Sequence, residues 1–253
     1  MSVLSVRDLS KSYGGVRALD GVSFIVPAGE LLALIGPNGA GKSTCFNIIN
    51  GQLRPDSGAV QILGRNVVGM APRNIARLGV GRTFQIAAVF GSMTVLENVQ
   101  TALLAAKRAM FGLWQPVSGL EREAAMVLLE QAGMAALAGR PAASLAYGDI
   151  KRLELAVALA GDPKLLLMDE PTAGMGATER AALIGLVKSL TVSRGLAVLF
   201  TEHSMDVVFG HADRVIVLAR GKLIADGSVD EIRHDPRVRE VYLGTGRVAE
   251  TAR

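Results

Sequence analysis

Residues 36–44 read GPNGAGKST and directly follow the apolar run LLALI at 31–35. The nonapeptide fits the pattern G-x-x-x-x-G-K-[ST] at every fixed position, and a strand before it with a helix after it is the context in which this pattern binds a nucleoside triphosphate. Its glycines let the backbone turn tightly and aim N–H groups at phosphate oxygens, and the next helix adds the positive end of its dipole. The sequence therefore predicts a phosphate-binding loop after a buried strand.

The polar residues of this loop have separate predicted roles. The Lys42 ammonium is expected to contact the β- and γ-phosphates, the Ser43 hydroxyl to ligate Mg²⁺, and Thr44 to face the α-phosphate. Together, the predicted nucleotide-binding residues of the loop are Gly36, Pro37, Asn38, Gly39, Ala40, Gly41, Lys42, Ser43 and Thr44.

A second apolar run, LLLMDE at 165–170, ends in two carboxylates. Such an ending alone is equally compatible with a helix cap. In an α/β sheet, however, ligands bind at the carboxyl ends of the strands. Combined with the phosphate-binding loop, the run predicts that Asp169 holds Mg²⁺, directly or through water, and that Glu170 orients and deprotonates an attacking water.

Two further residues fit the same site. His203 follows the apolar run 196–200; a lone histidine is more often structural, but here the strand predicts an imidazole within reach of the γ-phosphate and attacking water. Gln85 follows Gly81–Phe84, and its amide can accept from water or ligate Mg²⁺. Taken singly, Gln85 would be a surface polar residue.

Length and composition narrow the class of protein. The chain has 253 residues, half of them hydrophobic, which is enough for a large core. No apolar run approaches the roughly 18 residues of a membrane span, and the N-terminus shows no export signal.

The single cysteine, Cys45, is expected to be a buried thiol in a reducing cytosol. A net charge of +4 without a basic stripe or clustered aromatics argues against nucleic acid as a partner. A modest basic excess also suits a protein near an anionic membrane surface, and the net charge does not decide between the two.

The order of patterns along the chain predicts an α/β fold. Short strand-like segments fill 3–64, Ala/Leu/Glu-rich helical segments fill 96–159, and strand–helix alternation resumes after Pro163. Expected strands are 4–9, 22–26, 31–35, 60–63, 165–169, 196–201 and 215–219. Expected helices are 121–133, 150–160, 178–193, a short one from 205, and another after 229, before a loose tail at 245–253.

These motifs together resemble the ATP-binding subunits of ABC transporters, over nearly the whole chain. Residues 36–44 match the Walker A motif, 165–170 the Walker B motif with its catalytic glutamate, Gln85 the Q-loop and His203 the switch histidine. Tyr13 is similar to the aromatic residue that stacks on adenine in this family. The resemblance implies ATP and Mg²⁺ as cofactors and ATP hydrolysis as the activity.

The family's LSGGQ signature corresponds to LAYGD at 145–149, just before the expected helix 150–160. The resemblance implies that Ala146 and Gly148 face the ATP of a partner subunit. Ala146 replaces the signature serine and removes one hydroxyl contact, while Gly148 and the helix N-terminus can still face phosphate. Gly176 stands where many relatives carry an aspartate, so no role of that aspartate is assigned to it.

The resemblance also implies one ABC ATPase domain, 1–253. Its expected parts are a P-loop NTPase core with a parallel sheet and an N-terminal antiparallel β lobe (1–85 and 161–228), a helical signature subdomain (86–160), and a C-terminal helix and tail (229–253). Expected partners are a second ATP-binding subunit, identical or related, membrane permease subunits and, indirectly, a solute-binding protein. The expected location is the cytoplasmic side of the cell membrane, as a peripheral subunit.

Within the family, the chain is most similar to the ATPases of branched-chain amino acid uptake. The segments YGGVRAL at 13–19, DEPTAGM at 169–175, TEHSMD at 201–206 and VYLG at 241–244 carry this similarity. The ATPase of lipopolysaccharide export is the alternative within the family, although the LAYGD form favours the amino-acid type. Outside transport, an ABC ATPase acting on DNA or ribosomes is a second alternative. A P-loop kinase or GTPase would leave the signature region unexplained.

Overall fold

The structure, a computed structural model, describes residues 2–83, 89–107 and 121–243. Its strands are β1 (Ser2–Tyr13), β2 (Val16–Pro27), β3 (Leu31–Ile35), β4 (Ser57–Ile62), β5 (Arg65–Asn66), β6 (Val80–Thr83), β7 (Leu165–Asp169), β8 (Ala197–Thr201), β9 (Arg214–Ala219) and β10 (Lys222–Gly227). Its helices are α1 (Lys42–Ile49), α2 (Pro72–Ala76), α3 (Val95–Ala106), α4 (Arg122–Gln131), α5 (Tyr147–Leu159), α6 (Ala177–Arg194), α7 (Met205–His211), α8 (Val229–His234) and α9 (Pro236–Leu243).

The larger sheet has the strand order β10-β9-β3-β8-β7-β6. Its strands pair in parallel except β10, which is antiparallel to β9. Every residue of β3 and β8 is buried, as expected for apolar strands covered on both faces. Because Asp169 of β7 pairs with Thr201 of β8, the two strands end side by side. This common edge gathers the polar residues that follow each strand.

The smaller sheet is antiparallel, with the order β2-β1-β4-β5. Its inward face adds Leu4, Val6 and Val60 to a core shared with Phe46 of α1 and Leu199 of β8. The α/β class, with a parallel nucleotide-binding core and an antiparallel N-terminal lobe, is therefore confirmed.

Between β6 and β7 the described residues are mainly helical. Helix α3 begins with a capping box in which Thr94 Oγ1 accepts from the Glu97 N–H and Glu97 Oε2 accepts from the Thr94 N–H at 2.8 Å. The Glu97 carboxylate accepts from the Thr94 N–H and also from the Thr94 hydroxyl, and these two hydrogen bonds, the backbone one first, lower the pKa of Glu97. A second hydrophobic core contains Val99 of α3, Leu129 of α4 and Leu153 of α5.

Several element boundaries differ from the expected ones. Helix α5 begins at Tyr147 and not at 150, so the second half of the LAYGD segment forms its first turn, where the Asp149 carboxylate suits the helix dipole. The C-terminal part contains two helices because Ser228 caps α8 and Pro236 begins α9. The tail at 245–253 lies outside the described residues.

Candidate active site

The phosphate-binding loop joins β3 to α1 and depends on two glycines that approach backbone. A Cβ on Gly36 would lie 2.2 Å from the carbonyl oxygen of Leu218, and one on Gly41 would lie 2.4 Å from that of Ala18. Gly41 also has φ +108°, in the region that favours glycine. Both positions therefore exclude any larger residue, and the loop closes tightly with the Ala40 N–H donating to the Pro37 carbonyl at 3.1 Å.

The Lys42 side chain folds back over this loop. Its ammonium donates to the carbonyl oxygens of Gly36 at 2.7 Å and Pro37 at 3.2 Å. Burial lowers the pKa of Lys42, and the charges of the Glu170 and Asp169 carboxylates oppose that shift. The Lys42 Nζ is thus held close to the carboxylates of the sheet edge by neutral acceptors that a phosphate oxygen can replace.

A cavity of about 310 Å³ lies above the loop. Tyr13 contributes from the end of β1; its ring is half exposed, and the Lys11 ammonium lies 5.8 Å from the ring centroid. An exposed ring beside a phosphate-binding loop is a surface on which a planar base can stack. The cavity is lined by Tyr13, Ala18, Asn38, Gly39, Ala40, Gly41, Lys42, Ser43, Thr44, Glu170 and His203.

The ends of β7 and β8 fix the two carboxylates. Thr201 Oγ1 donates to Asp169 Oδ1 at 2.7 Å and accepts from the Glu170 N–H at 3.0 Å. Glu170 has φ +48°, an uncommon conformation for a residue with a side chain. The threonine hydroxyl therefore supports a bent backbone at the position where a carboxylate enters the cavity.

His203 completes the polar edge. Its Nε2 lies 2.8 Å from Glu170 Oε1, and both residues line the cavity. The neighbouring Glu202 is buried and accepts hydrogen bonds from the Thr172 N–H, in the loop after β7, and from the His203 N–H. The arrangement provides a carboxylate that can accept a proton from water and an imidazole that can contact both the carboxylate and a phosphate.

Two of the predicted site residues belong to neither the loop nor the sheet edge that surround this cavity. Ala146 and Gly148 lie at the start of α5 and do not line it. Gly148 faces α6, because a Cβ there would lie 3.1 Å from Glu179 Oε1. Gln85, predicted as a Q-loop and Mg²⁺ ligand, lies outside the described residues.

The oxygen donors at this site suit Mg²⁺ better than a cation that takes all of its ligands from the protein. Among the described residues no group of three or more His, Cys, Asp or Glu side chains is arranged to hold a metal. Mg²⁺ commonly binds through one or two side chains together with substrate phosphates and water. The exposed Ser43 hydroxyl, which lines the cavity, and Asp169 at the end of β7 are oxygen donors of that kind.

Comparison with known proteins identifies this arrangement. Residues 19–173 match the family model described as ABC transporter. The chain belongs to the ABC transporter family. Residues 222–248 further match the model described as branched-chain amino acid ATP-binding cassette transporter. The chain is thus an ABC ATPase, a member of a family of ATP-hydrolysing cassettes.

Curated relatives of this ABC ATPase match over nearly their whole length. The high-affinity branched-chain amino acid transport ATP-binding protein LivG of Salmonella typhimurium is 37% identical, covering 96% of this chain and 98% of the relative. The corresponding protein BraF of Pseudomonas aeruginosa is 36% identical, covering 96% and 98%. The residues compared therefore include the loop, the sheet edge and the helical segment.

Solved structures give the same assignment. An ATP-binding cassette of an ABC transporter in its ADP conformation is 33% identical, with a TM-score of 0.86 over 96% of this chain and 99% of that one. A nucleotide-free cassette is 31% identical, with a TM-score of 0.83 over 99% and 100%. The ABC ATPase described here therefore has the cassette fold and binds nucleotide.

Sequence reasoning assigned no role to Thr201 and Glu202 of this ABC ATPase. Both are polar residues at the end of an apolar strand, and a polar residue at that position does not by itself indicate a function. Their roles follow only from the pairing of β7 with β8, because Asp169 stands opposite Thr201 in that register. A rule that examines polar residues at the ends of adjacent parallel strands would have found them.

Proposed function

We propose that the chain is the ATP-hydrolysing subunit of an importer that takes up branched-chain amino acids, or a related small solute, through separate permease subunits. The observation that carries this proposal is that Lys42, Glu170 and His203 line one and the same cavity. The similarity to LivG and BraF supports the solute class. The match at 222–248 favours the amino-acid type over lipopolysaccharide export.

The residues of the cavity divide the work of hydrolysis. The loop N–H groups and Lys42 bind the phosphates of ATP, and Tyr13 stacks on the adenine. Ser43 and Asp169, with Gln85 as a further ligand, hold Mg²⁺, which supplies charge neutralisation at the phosphates. Glu170 accepts the proton of the attacking water, and His203 contacts Glu170 on one side and the γ-phosphate on the other.

A second ATP-binding subunit supplies the missing part of each site. Ala146 is exposed at the start of α5 and does not line the cavity of its own chain, which fits a role toward a neighbour's nucleotide. A solved cassette that is 26% identical is dimeric in a post-hydrolysis state with ADP and phosphate. We infer the same pairing here, with an identical or related chain.

Transport requires other subunits. Every helix among the described residues is too short or too polar to cross a bilayer. The similarity to the transport ATP-binding proteins LivG and BraF supports permease subunits that carry the solute, with this chain bound to them at the cytoplasmic side of the cell membrane. A solute-binding protein would act indirectly, and nucleic acid has no place in the proposal.

The experiment that tests the proposal compares ATP binding with hydrolysis. Glu170→Gln removes the base and keeps the shape, so turnover should fall by about 100-fold or more while ATP affinity changes by less than about threefold. Lys42→Ala should instead weaken ATP binding, because its charge meets phosphate in the ground state as well. ATP binding by calorimetry and phosphate release would be measured on the full chain.

Equal losses of affinity and turnover in Glu170→Gln would exclude the role of general base. The transport part is tested by isolating the intact membrane complex and measuring uptake of leucine, isoleucine and valine into vesicles. Uptake that proceeds equally without ATP would reject the importer assignment.

A further inference from the structure

Glu202 is a buried carboxylate between the two loops that carry the catalytic pair. It directly follows β8, and its residue is only 5% exposed. Oε1 accepts hydrogen bonds from the Thr172 N–H at 3.0 Å and from the Thr172 hydroxyl. Oε2 accepts from the N–H groups of His203 at 3.0 Å and Ser204 at 3.4 Å. A carboxylate has about four lone-pair sites, so these donors satisfy it.

Together with the backbone, these hydrogen bonds close a ring that includes the catalytic pair, Glu170 and His203. The chain runs from Glu170 to Thr172, crosses to Glu202 by two hydrogen bonds, continues to His203, and returns to Glu170 through the 2.8 Å contact. Without Glu202, the side-chain hydrogen bonds that remain between the ends of β7 and β8, among the described residues, are those of the Thr201 hydroxyl and the exposed His203–Glu170 contact. The Glu202 carboxylate therefore fixes the position of the His203 backbone.

We propose that Glu202 is a positioning residue that sets His203 against Glu170. It does not line the cavity, so it acts through the histidine and not on substrate. This inference rests on the proposed function for the consequence in turnover, but the placement of the His203 ring can be tested independently of turnover.

Glu202→Gln is the informative change because it preserves volume and removes acceptors. The amide nitrogen must face either the Thr172 donors or the N–H groups of His203 and Ser204, so donors oppose donors on one side of the ring. The turn at 202–204 is then expected to shift. A displacement of about 1 Å at a catalytic group is enough to lower turnover by roughly 100-fold.

Glu97→Gln is a matched control. Glu97 also accepts from a threonine N–H and hydroxyl, those of Thr94, at 2.8 and 2.9 Å, but it lies at the start of α3 and does not line the cavity. The same chemical change is therefore made at a place whose hydrogen bonds, among the described residues, do not involve His203.

The experiment records histidine ring signals by ¹H–¹⁵N NMR on the full chain, together with turnover and KM for ATP. The chain has three histidines, so His211 and His234 are internal references. Glu202→Gln should move the ring signals of His203 alone and lower kcat by about tenfold or more, with KM changed by less than about twofold. Glu97→Gln should change neither the His203 signals nor kcat.

Unmoved His203 signals in a folded Glu202→Gln chain would overturn the proposal, whatever happens to turnover. If that variant does not fold, Thr172→Val removes the hydroxyl donor alone and should move the same signals by a smaller amount; unmoved signals there would likewise overturn it. His203→Ala and Glu170→Gln are assayed alongside. Full turnover in those two variants would reject the proposed catalytic roles, whereas the ring signals would still decide whether Glu202 positions His203.

Discussion

At the scale of single residues, the site is built on backbone conformations that most side chains disfavour. Glu170 has φ +48°, and its N–H is held by the Thr201 hydroxyl, which also donates to Asp169. A left-handed conformation costs roughly 1–2 kcal/mol for a residue with a side chain. This disfavoured conformation occurs where the bend turns a carboxylate from the sheet edge into the cavity, next to His203.

Gly41 should be the least replaceable residue of the phosphate-binding loop. In Gly41→Ala the new Cβ would meet the Ala18 carbonyl at 2.4 Å and Leu19 Cδ2 at 2.9 Å, so we expect a loss of about 3 kcal/mol or more in the free energy of unfolding. Gly39→Ala is the control: Gly39 has φ +78° but nothing within 4 Å, and only about 1 kcal/mol should be lost. Urea unfolding would measure both. Equal losses would contradict the close approach of β2 to the loop.

At the scale of elements, apolar runs predicted the buried strands well and the half-exposed ones poorly. The expected strand 165–169 coincides with β7, because a strand covered on both faces is a continuous apolar run. By contrast, β1 and β2 each have 12 residues and extend beyond the expected 4–9 and 22–26. Their outer parts carry polar, exposed side chains and pair with bulges, so composition there resembles a loop.

The apolar pattern did not predict strand β10, which follows β9 through a two-residue turn. The turn from β9 to β10 is Arg220-Gly221, and both residues have positive φ, which is the geometry of a tight hairpin turn. The phosphate-binding loop and the Asp-Glu strand ending were visible because chemistry restricts their residue types. The hydrogen bonds of Glu202 were not, since they join loops that are 30 residues apart in sequence.

Helix α1 buries a thiol whose ionisation should weaken the fold at high pH. Cys45 is fully buried, and burial raises its pKa from about 9 to about 12. A group whose pKa is raised on folding contributes stability below its unfolded pKa and loses it as pH rises toward the folded value. We therefore expect the wild-type chain to lose about 1.4 kcal/mol between pH 8 and pH 10 from this thiol.

Cys45→Ala isolates that effect from other groups that titrate in alkali. Unfolding by urea, with reductant present, would be measured at pH 8, 9 and 10 in both chains. The stability difference between them should shrink with pH, because alanine has no proton to lose. A difference independent of pH would show that the thiol is not buried behind the phosphate-binding loop.

At the scale of the whole molecule, the nucleotide cavity depends on two sheets meeting. The β1–β2 hairpin brings Tyr13 and Ala18 to a loop that belongs to the parallel sheet. The hairpin is fastened there because the Asp20 N–H donates to the Gly221 carbonyl and the Gly221 N–H donates to that of Ala40. The helical segment behaves differently, since Ala146 at the start of α5 is exposed and outside the cavity. Under the proposed function, one chain presents one face of an ATP site and, separately at the start of α5, a surface that faces the ATP of a second subunit.

Ala146→Ser tests whether the start of α5 faces a partner's nucleotide, because a serine there would have two separable effects. Ala146 is the N-cap of α5, with extended backbone and no side-chain cap. A serine should stabilise the ATP-free monomer by about 1 kcal/mol through a capping hydrogen bond. If residue 146 also faces the partner's γ-phosphate, the hydroxyl adds a charge-assisted contact of roughly 1.5–3 kcal/mol in the closed dimer.

The dimer fraction would be measured by light scattering with ATP, in a Glu170→Gln background that blocks hydrolysis, and it should rise in Ala146→Ser. Ala71→Ser is the control, since Ala71 is the uncapped N-cap of α2 with the same extended backbone. It should raise monomer stability by about the same amount and leave the dimer fraction unchanged. If both serines stabilise the monomer and neither promotes dimerisation while ATP binds normally, residue 146 caps its helix without reaching a partner's nucleotide, and the LAYGD segment is not the signature.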